Sequence, residues 1–186
     1  MSDRVTITGL RGVPLVAPGD DLGAIAAAAL AATGVVPEDG DVLVVAQKIV
    51  SKAEGRFVEV ASVEPSAAAV ALAAETGKDP RFVEIVLGES RRIVRHRPNL
   101  IIAEHRLGHV MANAGIDHSN VAPPGGSERV LLLPVDPDGS ARALQEQLAR
   151  RFGKRIAIII SDSFGRPWRR GTVGVALGAA GLPAAI

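Results

Sequence analysis

Asp162 and Ser163 come directly after the apolar run Ile158-Ile159-Ile160. A carboxylate at the end of a buried strand is rigidly held. With a hydroxyl beside it, it offers two oxygen ligands to a hard cation such as Mg2+ or Mn2+. The same aspartate would equally serve as a cap for the turn before Gly165. A second oxygen-rich group is Asp117-His118-Ser119-Asn120, where Asp117 and Asn120 are spaced to meet one cation or one phosphate from a single loop. Asx turns place such residues in loops for backbone reasons alone. A third group, Gln47-Lys48-Ile49-Val50-Ser51-Lys52, follows Val42 to Val45. Two lysines flanking a strand end suit phosphate oxygens as point charges, or simply stand solvated there. The densest segment runs from Asp162 to Gly171 and carries Arg166, Arg169, Arg170 and the only tryptophan, Trp168. Arginine pairs bidentately with carboxylates and phosphates, so this loop fits an acidic substrate. The structural alternative is a Trp168 anchor with snorkelling arginines.

The elements that must position these groups alternate without a regular βαβ rhythm. Arg4 to Leu10 reads as a short strand. A helix follows through Leu22, Ile25 and Ala29, started by Asp20 and Asp21 and stopped by Gly34. Asp41 to Ser51 contains Val-Leu-Val-Val and predicts a buried strand. Ser66 to Thr76 is alanine-rich and ends at Gly77, which predicts a helix. Pro80 after Asp79 opens another, with Phe82, Ile85 and Val86 as its apolar face. Asn99 to Ala103 and Val130 to Leu133 read as strands around a segment, Ala112 to Ser127, rich in turn formers. Ser140 begins a helix with Leu144, Leu148 and Phe152 on one face, Gly153 closes it, and Arg155 to Ile160 forms an apolar strand. The pattern predicts an α+β fold with a mixed or antiparallel sheet and flanking helices.

Composition narrows the function classes. Of the 186 residues 47% are hydrophobic, enough for a packed core, but only 3% are aromatic, which argues against stacking platforms for single-stranded nucleic acid. Lys plus Arg is 21 and Asp plus Glu is 20, so no general pull on DNA or anionic membranes is expected. Arg91, Arg92, Arg95 and Arg97 read as a solvated face. The absence of cysteine excludes disulfides, thiolate nucleophiles and Cys-ligated zinc. The N-terminus lacks an apolar signal region, and no stretch approaches the roughly 20 residues that span a bilayer, so a cytoplasmic protein is expected. There is no P-loop, no Gly-x-Gly-x-x-Gly and no Gly-x-Ser-x-Gly. His105 and His109 lack the Glu of a zincin motif and read as packing or surface histidines. Gly171, Gly174 and Gly178 suggest close backbone packing.

Several segments together resemble one family. They are Gly12-Val13-Pro14-Leu15-Val16, the stretch from Gly40 through Gln47-Lys48-Ile49-Val50-Ser51-Lys52 to Arg56, and Ala114-Gly115-Ile116-Asp117-His118-Ser119-Asn120-Val121. Leu133-Pro134-Val135-Asp136-Pro137-Asp138 and Ser161-Asp162-Ser163-Phe164-Gly165-Arg166-Pro167-Trp168-Arg169 complete the set. In this order, along nearly the whole chain, they resemble the coenzyme F-420-0:L-glutamate (γ-glutamyl) ligases. The resemblance implies a CofE-like α+β fold and an intertwined homodimer. It implies an enzyme that adds L-glutamate through γ-linkages to the tail of the deazaflavin coenzyme F-420-0. GTP would be co-substrate, with Mg2+ or Mn2+, and K+ as an optional monovalent cation. By matching motif positions, Val13, Pro14, Leu15 and Val16 would line the nucleotide site with Gln47, Lys48, Lys52 and Asn120. Asp117 and Asp162 would hold one metal and Ser163 a second. Gln47 stands where several relatives carry a small hydroxyl residue. Family members continue beyond Ile186 with a segment that supplies a further metal ligand, so residues 1–186 are expected to form a ligase domain lacking the family's C-terminal part. No residue is singled out as general base. Two other readings stand beside this one: an ATP-dependent glutamate ligase, or a non-catalytic nucleotide-binding, coenzyme-binding or dimerisation module.

Overall fold

The computed structural model describes residues 4–118, 128–165 and 170–182. Of the five α-helices among the described residues, four start at a side-chain cap. Helix α1 (Leu22–Thr33) starts at Asp21, whose carboxylate accepts from the Ala24 amide, and stops at Gly34 in the left-handed conformation. Helix α3 (Ala67–Thr76) has Ser66 and Gly77 in the same two roles. Helix α4 (Pro80–Gly88) is capped by Asp79 with Pro80 at its first position. Helix α5 (Pro137–Phe152) begins three residues earlier than Ser140, because Asp136 caps it by accepting from the Gly139 amide and Pro137 supplies a preset first turn.

The expected α+β class is what the structure shows. Strand β1 (Val42–Ala46) lies parallel to β7 (Ala157–Gly165), which runs antiparallel to β8 (Thr172–Ala180), giving a mixed three-stranded sheet. Ala141, Leu144 and Leu148 of α5 pack on one face of this sheet against Ile158, Ile160 and Ala180. The strand expected over Asp41–Ser51 is shorter than that. It ends at Ala46, and Gln47–Ala53 forms helix α2 instead. Helical spacing lets Val50 bury against the α5 core and lets the Ser51 hydroxyl donate to Gln47 Oε1 at 2.9 Å, both side chains being buried. Nor is β1 buried on both sides. Leu43 and Val45 face the core, while Val42 and Val44 are 44% and 60% exposed. The isolated reading of Val-Leu-Val-Val missed this because a two-sided and a one-sided apolar strand share the same residues.

Two smaller antiparallel sheets complete the fold. Strands β2 (Phe57–Glu59) and β6 (Arg129–Leu131) pair, and β3 (Ser90–Arg97), β4 (Leu100–His105) and β5 (Val110–Ala112) form a meander. A second core gathers Val83 and Val86 of α4, Ala69 and Ala73 of α3, Ile101 and Ala103 of β4, and Val130 of β6. The arginine run lies on β3 with mostly exposed side chains; Arg91 and Arg92 reach Glu104 on β4. Arg4 to Leu10, expected as a strand, has no partner strand among the described residues and takes no regular secondary structure, with Val5 85% and Ile7 93% exposed. A strand sequence needs a ladder to become a strand, and none is offered to it here. Among the described residues no helix is long and apolar enough to cross a membrane.

Of the three glycines read as close-packed only Gly178 is: a Cβ built at Gly174 meets just the Ser161 hydroxyl at 3.7 Å, and one at Gly171 meets nothing described within 4 Å. A Cβ built at Gly178 would lie 2.3 Å from the carbonyl carbon of Pro137, at the first turn of α5. The contact is backbone, which cannot swing aside. Gly178→Ala is therefore expected to separate α5 from β8 and lower stability by about 1–3 kcal/mol, read as a lower midpoint in urea. An unchanged midpoint would refute the close approach.

Candidate active site

Strand β7 outlasts its parallel neighbour. The β1 register ends at Ala46 opposite Ser161, while β7 continues through Asp162 to Gly165 with β8 alone. A bulge falls at the same level: Ile160 pairs with Gly178 and Ser161 with Ala176, leaving Leu177 as the extra residue of β8. Leu177 turns into a small cluster with Met111 and Leu133, flanked by Phe164. Past the end of β1 the sheet opens into a cleft of about 1020 Å³. Its described lining includes Gln47 and Lys48 of α2, Asp117, Ser161 to Gly165 of β7, and apolar side chains of β4 and β5 such as Ile102 and Met111. Lys48 and Asp162, 114 positions apart in the chain (162 − 48), thus share one concavity.

The charges meet here. Asp117 forms a single antiparallel bridge with Leu131, its amide donating to the Leu131 carbonyl at 3.0 Å and its own carbonyl accepting at 2.9 Å. That fixes its backbone, and its carboxylate takes an ion pair from the Lys48 ammonium. Asp162 Oδ1 accepts from the Ser163 amide at 2.8 Å. Burial pushes the Asp162 carboxyl above the usual aspartate range. The nearby charge of Asp117 pushes the same way, against the Ser163 amide, Lys48 and His109. Two carboxylates facing one cleft, with ionisation of Asp162 disfavoured by Asp117, are a donor set suited to a hard divalent cation. Among the described residues no group of three or more such ligands converges. Mg2+ is commonly held by one or two carboxylates with substrate phosphates filling the rest, so a two-carboxylate site fits it. Adjacent strand positions point to opposite faces, so Asp162 and Ser163 address different sides of β7.

The structure brings together Gln47, Lys48, Asp117, Asp162 and Ser163. Val13, Pro14, Leu15 and Val16 lie elsewhere, in a largely exposed segment without regular secondary structure. That segment is tied to α1 through the Arg11 amide and Thr33, and to the far end of α2 through the Gly19 amide and Ala53. Lys52 is in the last turn of that same helix, outside the cleft lining. Asn120, Arg166, Trp168 and Arg169 lie outside the described residues.

Sequence reading undervalued two histidines. His109 follows the tight β4–β5 turn, packs edge-on to Phe164 with ring centroids 6.2 Å apart, and acts electrostatically on Asp162. His105 is wholly buried. Its Nδ1 accepts from the Leu107 amide at 3.0 Å, which leaves the Nε2 proton for Glu89 at 3.3 Å. Glu89 also faces Arg56 at 3.2 Å and Arg106 at 3.0 Å, and Arg56 Nε donates to the Leu133 carbonyl. This buried hub ties the turn carrying His109 to the strand that pins Asp117. Only the Gly108 turn between the two histidines hinted at their joint placement.

The sequence profile of the F420-0:Gamma-glutamyl ligase family matches residues 11–186. The chain is 46% identical over 178 residues to the coenzyme F420:L-glutamate ligase of Methanothermobacter thermautotrophicus, covering 96% of this chain and 69% of that protein. To the ligase of the same name from Methanopyrus kandleri it is 51% identical over 174 residues, with 92% and 66% covered. The Archaeoglobus fulgidus ligase is 44% identical over 181 residues, with 97% and 69% covered. The chain thus spans about two thirds of the length of these relatives. The cleft that joins Lys48, Asp117 and Asp162 lies within the matched residues 11–186, and the chain belongs to the F420-0:gamma-glutamyl ligase family.

Proposed function

We propose that this chain carries the catalytic cleft of a GTP- and metal-dependent ligase that joins L-glutamate to the carboxylate-bearing tail of coenzyme F-420-0. The observation that supports this most is the meeting of Asp117 and Asp162 beside Lys48, in a chain of this family. The tail carboxylate attacks the γ-phosphorus of GTP, the bond to the β–γ bridging oxygen breaks, and GDP leaves with an acyl phosphate formed. The glutamate amine then attacks the acyl carbon, inorganic phosphate departs, and the amine gives up its proton. Asp117 and Asp162 would hold a divalent cation, Mg2+ or Mn2+, whose chemistry is to neutralise charge growing on the phosphate oxygens. Lys48 supplies a fixed positive charge at the same place. The wall of Ile102, Met111 and Phe164 excludes water from the mixed anhydride.

A homodimer and a cytoplasmic setting belong to the same reading. Val5, Ile7, Val42 and Val44 present exposed apolar side chains that a second copy would cover, and GTP and L-glutamate are cytoplasmic metabolites. The test is GDP release with F-420-0, L-glutamate, GTP and Mn2+, from this chain and from one extended to the length of its relatives. Release that requires both F-420-0 and glutamate is the expected result. Silence from both proteins, each shown to be folded, would replace the ligase with a binding module.

A further inference from the structure

We propose that the arginine edge of β3 is a rim of the cleft that holds the carboxylates of γ-linked glutamates already present on the substrate tail. The inference rests on the ligase reading, which puts the reacting end of that tail at Asp117 and Asp162. Strand register places the rim. Ile102 of β4 pairs with Ala112 of β5, both line the cleft, and the residue of β3 opposite Ile102 is Arg95. Directly paired residues share one face of a sheet, and neighbouring strands lie about 4.8 Å apart. Arg95 therefore stands one strand beyond the apolar wall, on the side that faces the cleft. Leu100 and Glu104 alternate with the core-facing residues of β4 as Ile102 does, and they pair with Arg97 and Arg92. One face thus carries all three arginines.

An irregularity makes this alignment. Arg92 and Arg95 are three apart in the chain and would point to opposite faces of a regular strand. The register of β3 shifts between Ile93 and Arg95, which leaves Val94 as the extra residue and turns Arg95 to the side of Arg92. Arg92 donates to Glu104 at 2.7 Å. Arg95 and Arg97 are exposed, and among the described residues neither has an ion-pair partner. They stand two strand positions apart, about 7 Å. A γ-linked glutamate chain repeats after five bonds, about 6 Å when extended. Each unit carries a free α-carboxylate, which a guanidinium pairs bidentately. The nucleotide's phosphates belong with the cation at Asp117 and Asp162. Glutamates added earlier trail from the reacting end across Ile102, and the rim is the cationic surface they meet.

The experiment titrates the 186-residue chain by calorimetry with F-420-0 and with the coenzyme bearing one and two γ-linked glutamates. In wild type each glutamate should tighten binding about fivefold, the scale of an exposed but bidentate arginine–carboxylate pair. High salt should reduce that gain. Arg95→Gln combined with Arg97→Gln should flatten the series, with a urea midpoint near that of wild type because both side chains are exposed. Arg95→Lys combined with Arg97→Lys should keep part of the gain, since lysine retains the charge without the fork. Equal affinity for the three forms in wild type, or an undiminished gain in the folded glutamine variant, overturns the rim and leaves the ligase reading standing. If the folded chain binds none of the three forms, the coenzyme does not belong in the cleft, and the ligase reading falls together with the rim.

Discussion

Asp162→Asn should abolish Mn2+ binding in the cleft and GTP-dependent glutamate ligation with it, in a chain that melts no lower than wild type. The two halves of that result have one origin. Burial and the neighbouring Asp117 hold the Asp162 carboxyl above its ordinary range, so the folded state disfavours the ionised form. For a carboxyl whose folded pKa is raised, stability is lost as pH rises through the unfolded and then the folded value. At neutral pH the ionised aspartate therefore weakens the metal-free protein, and the neutral amide removes that cost. The fold gains while the site loses a ligand, for which about a hundredfold or greater fall in turnover is expected. Mn2+ titration, thermal melting and GDP release, run on the same preparation, check all three statements. A folded variant with wild-type turnover would remove Asp162 from the metal site. A variant that melts well below wild type would instead make the aspartate a structural cap, the plain alternative that its position before Gly165 always offered.

Glu89→Ala should have the opposite profile, costing about 3–5 kcal/mol of stability. Glu89 is buried and is the shared anion for His105, Arg56 and Arg106. Its removal leaves two guanidinium groups without their counter-charge and the His105 Nε2 proton without its acceptor. Burial alone would raise the Glu89 carboxyl. The hydrogen bond from His105 and the charges of Arg106 and Arg56 outweigh it, and the carboxyl sits below its ordinary value of 4.5. A depressed carboxyl contributes stability that is complete above the unfolded value and is lost as pH falls through the folded one. Wild-type stability should therefore decline below about pH 4.5, and the decline should be shallower in Glu89→Gln, which cannot ionise. Urea midpoints measured between pH 3 and pH 7 would show it, and parallel wild-type and Glu89→Gln curves would dismiss the hub. Because the hub joins the β4–β5 turn to the strand beside Asp117, a folded Glu89→Gln protein should also bind Mn2+ less tightly.

Helix boundaries were legible in the chain because they are local. Asp21 with Gly34, Ser66 with Gly77 and Asp79 with Pro80 act through hydrogen bonds and backbone angles within a few residues of themselves. A strand at Val-Leu-Val-Val and the α+β class followed from residue type and spacing, though the strand's end at Ala46 did not, and the family likeness followed from segments quoted in order. The candidate ligands were visible one at a time, since a polar residue after an apolar run is a local feature too.

What the chain alone left open depended on partners far away in sequence. Whether Arg4–Leu10 becomes a strand turns on a ladder that is not offered to it, and no property of Val5 or Ile7 reveals that. Gln47–Ala53 folds as a helix because Val50 finds the α5 core and Ser51 finds Gln47. The β-branched Ile49 and Val50, read locally, favoured the strand. β8 was hidden by its glycines, which weaken a strand on their own yet are required where Gly178 meets Pro137. Above all, the pairing of Lys48 with Asp117 and the pressure of Asp117 on Asp162 exist only once β7 outruns β1 and Leu131 pins the Asp117 backbone. The residue types named the available chemistry. Their convergence came from tertiary structure, because an electrostatic interaction depends on distance through space and on the water excluded between the groups.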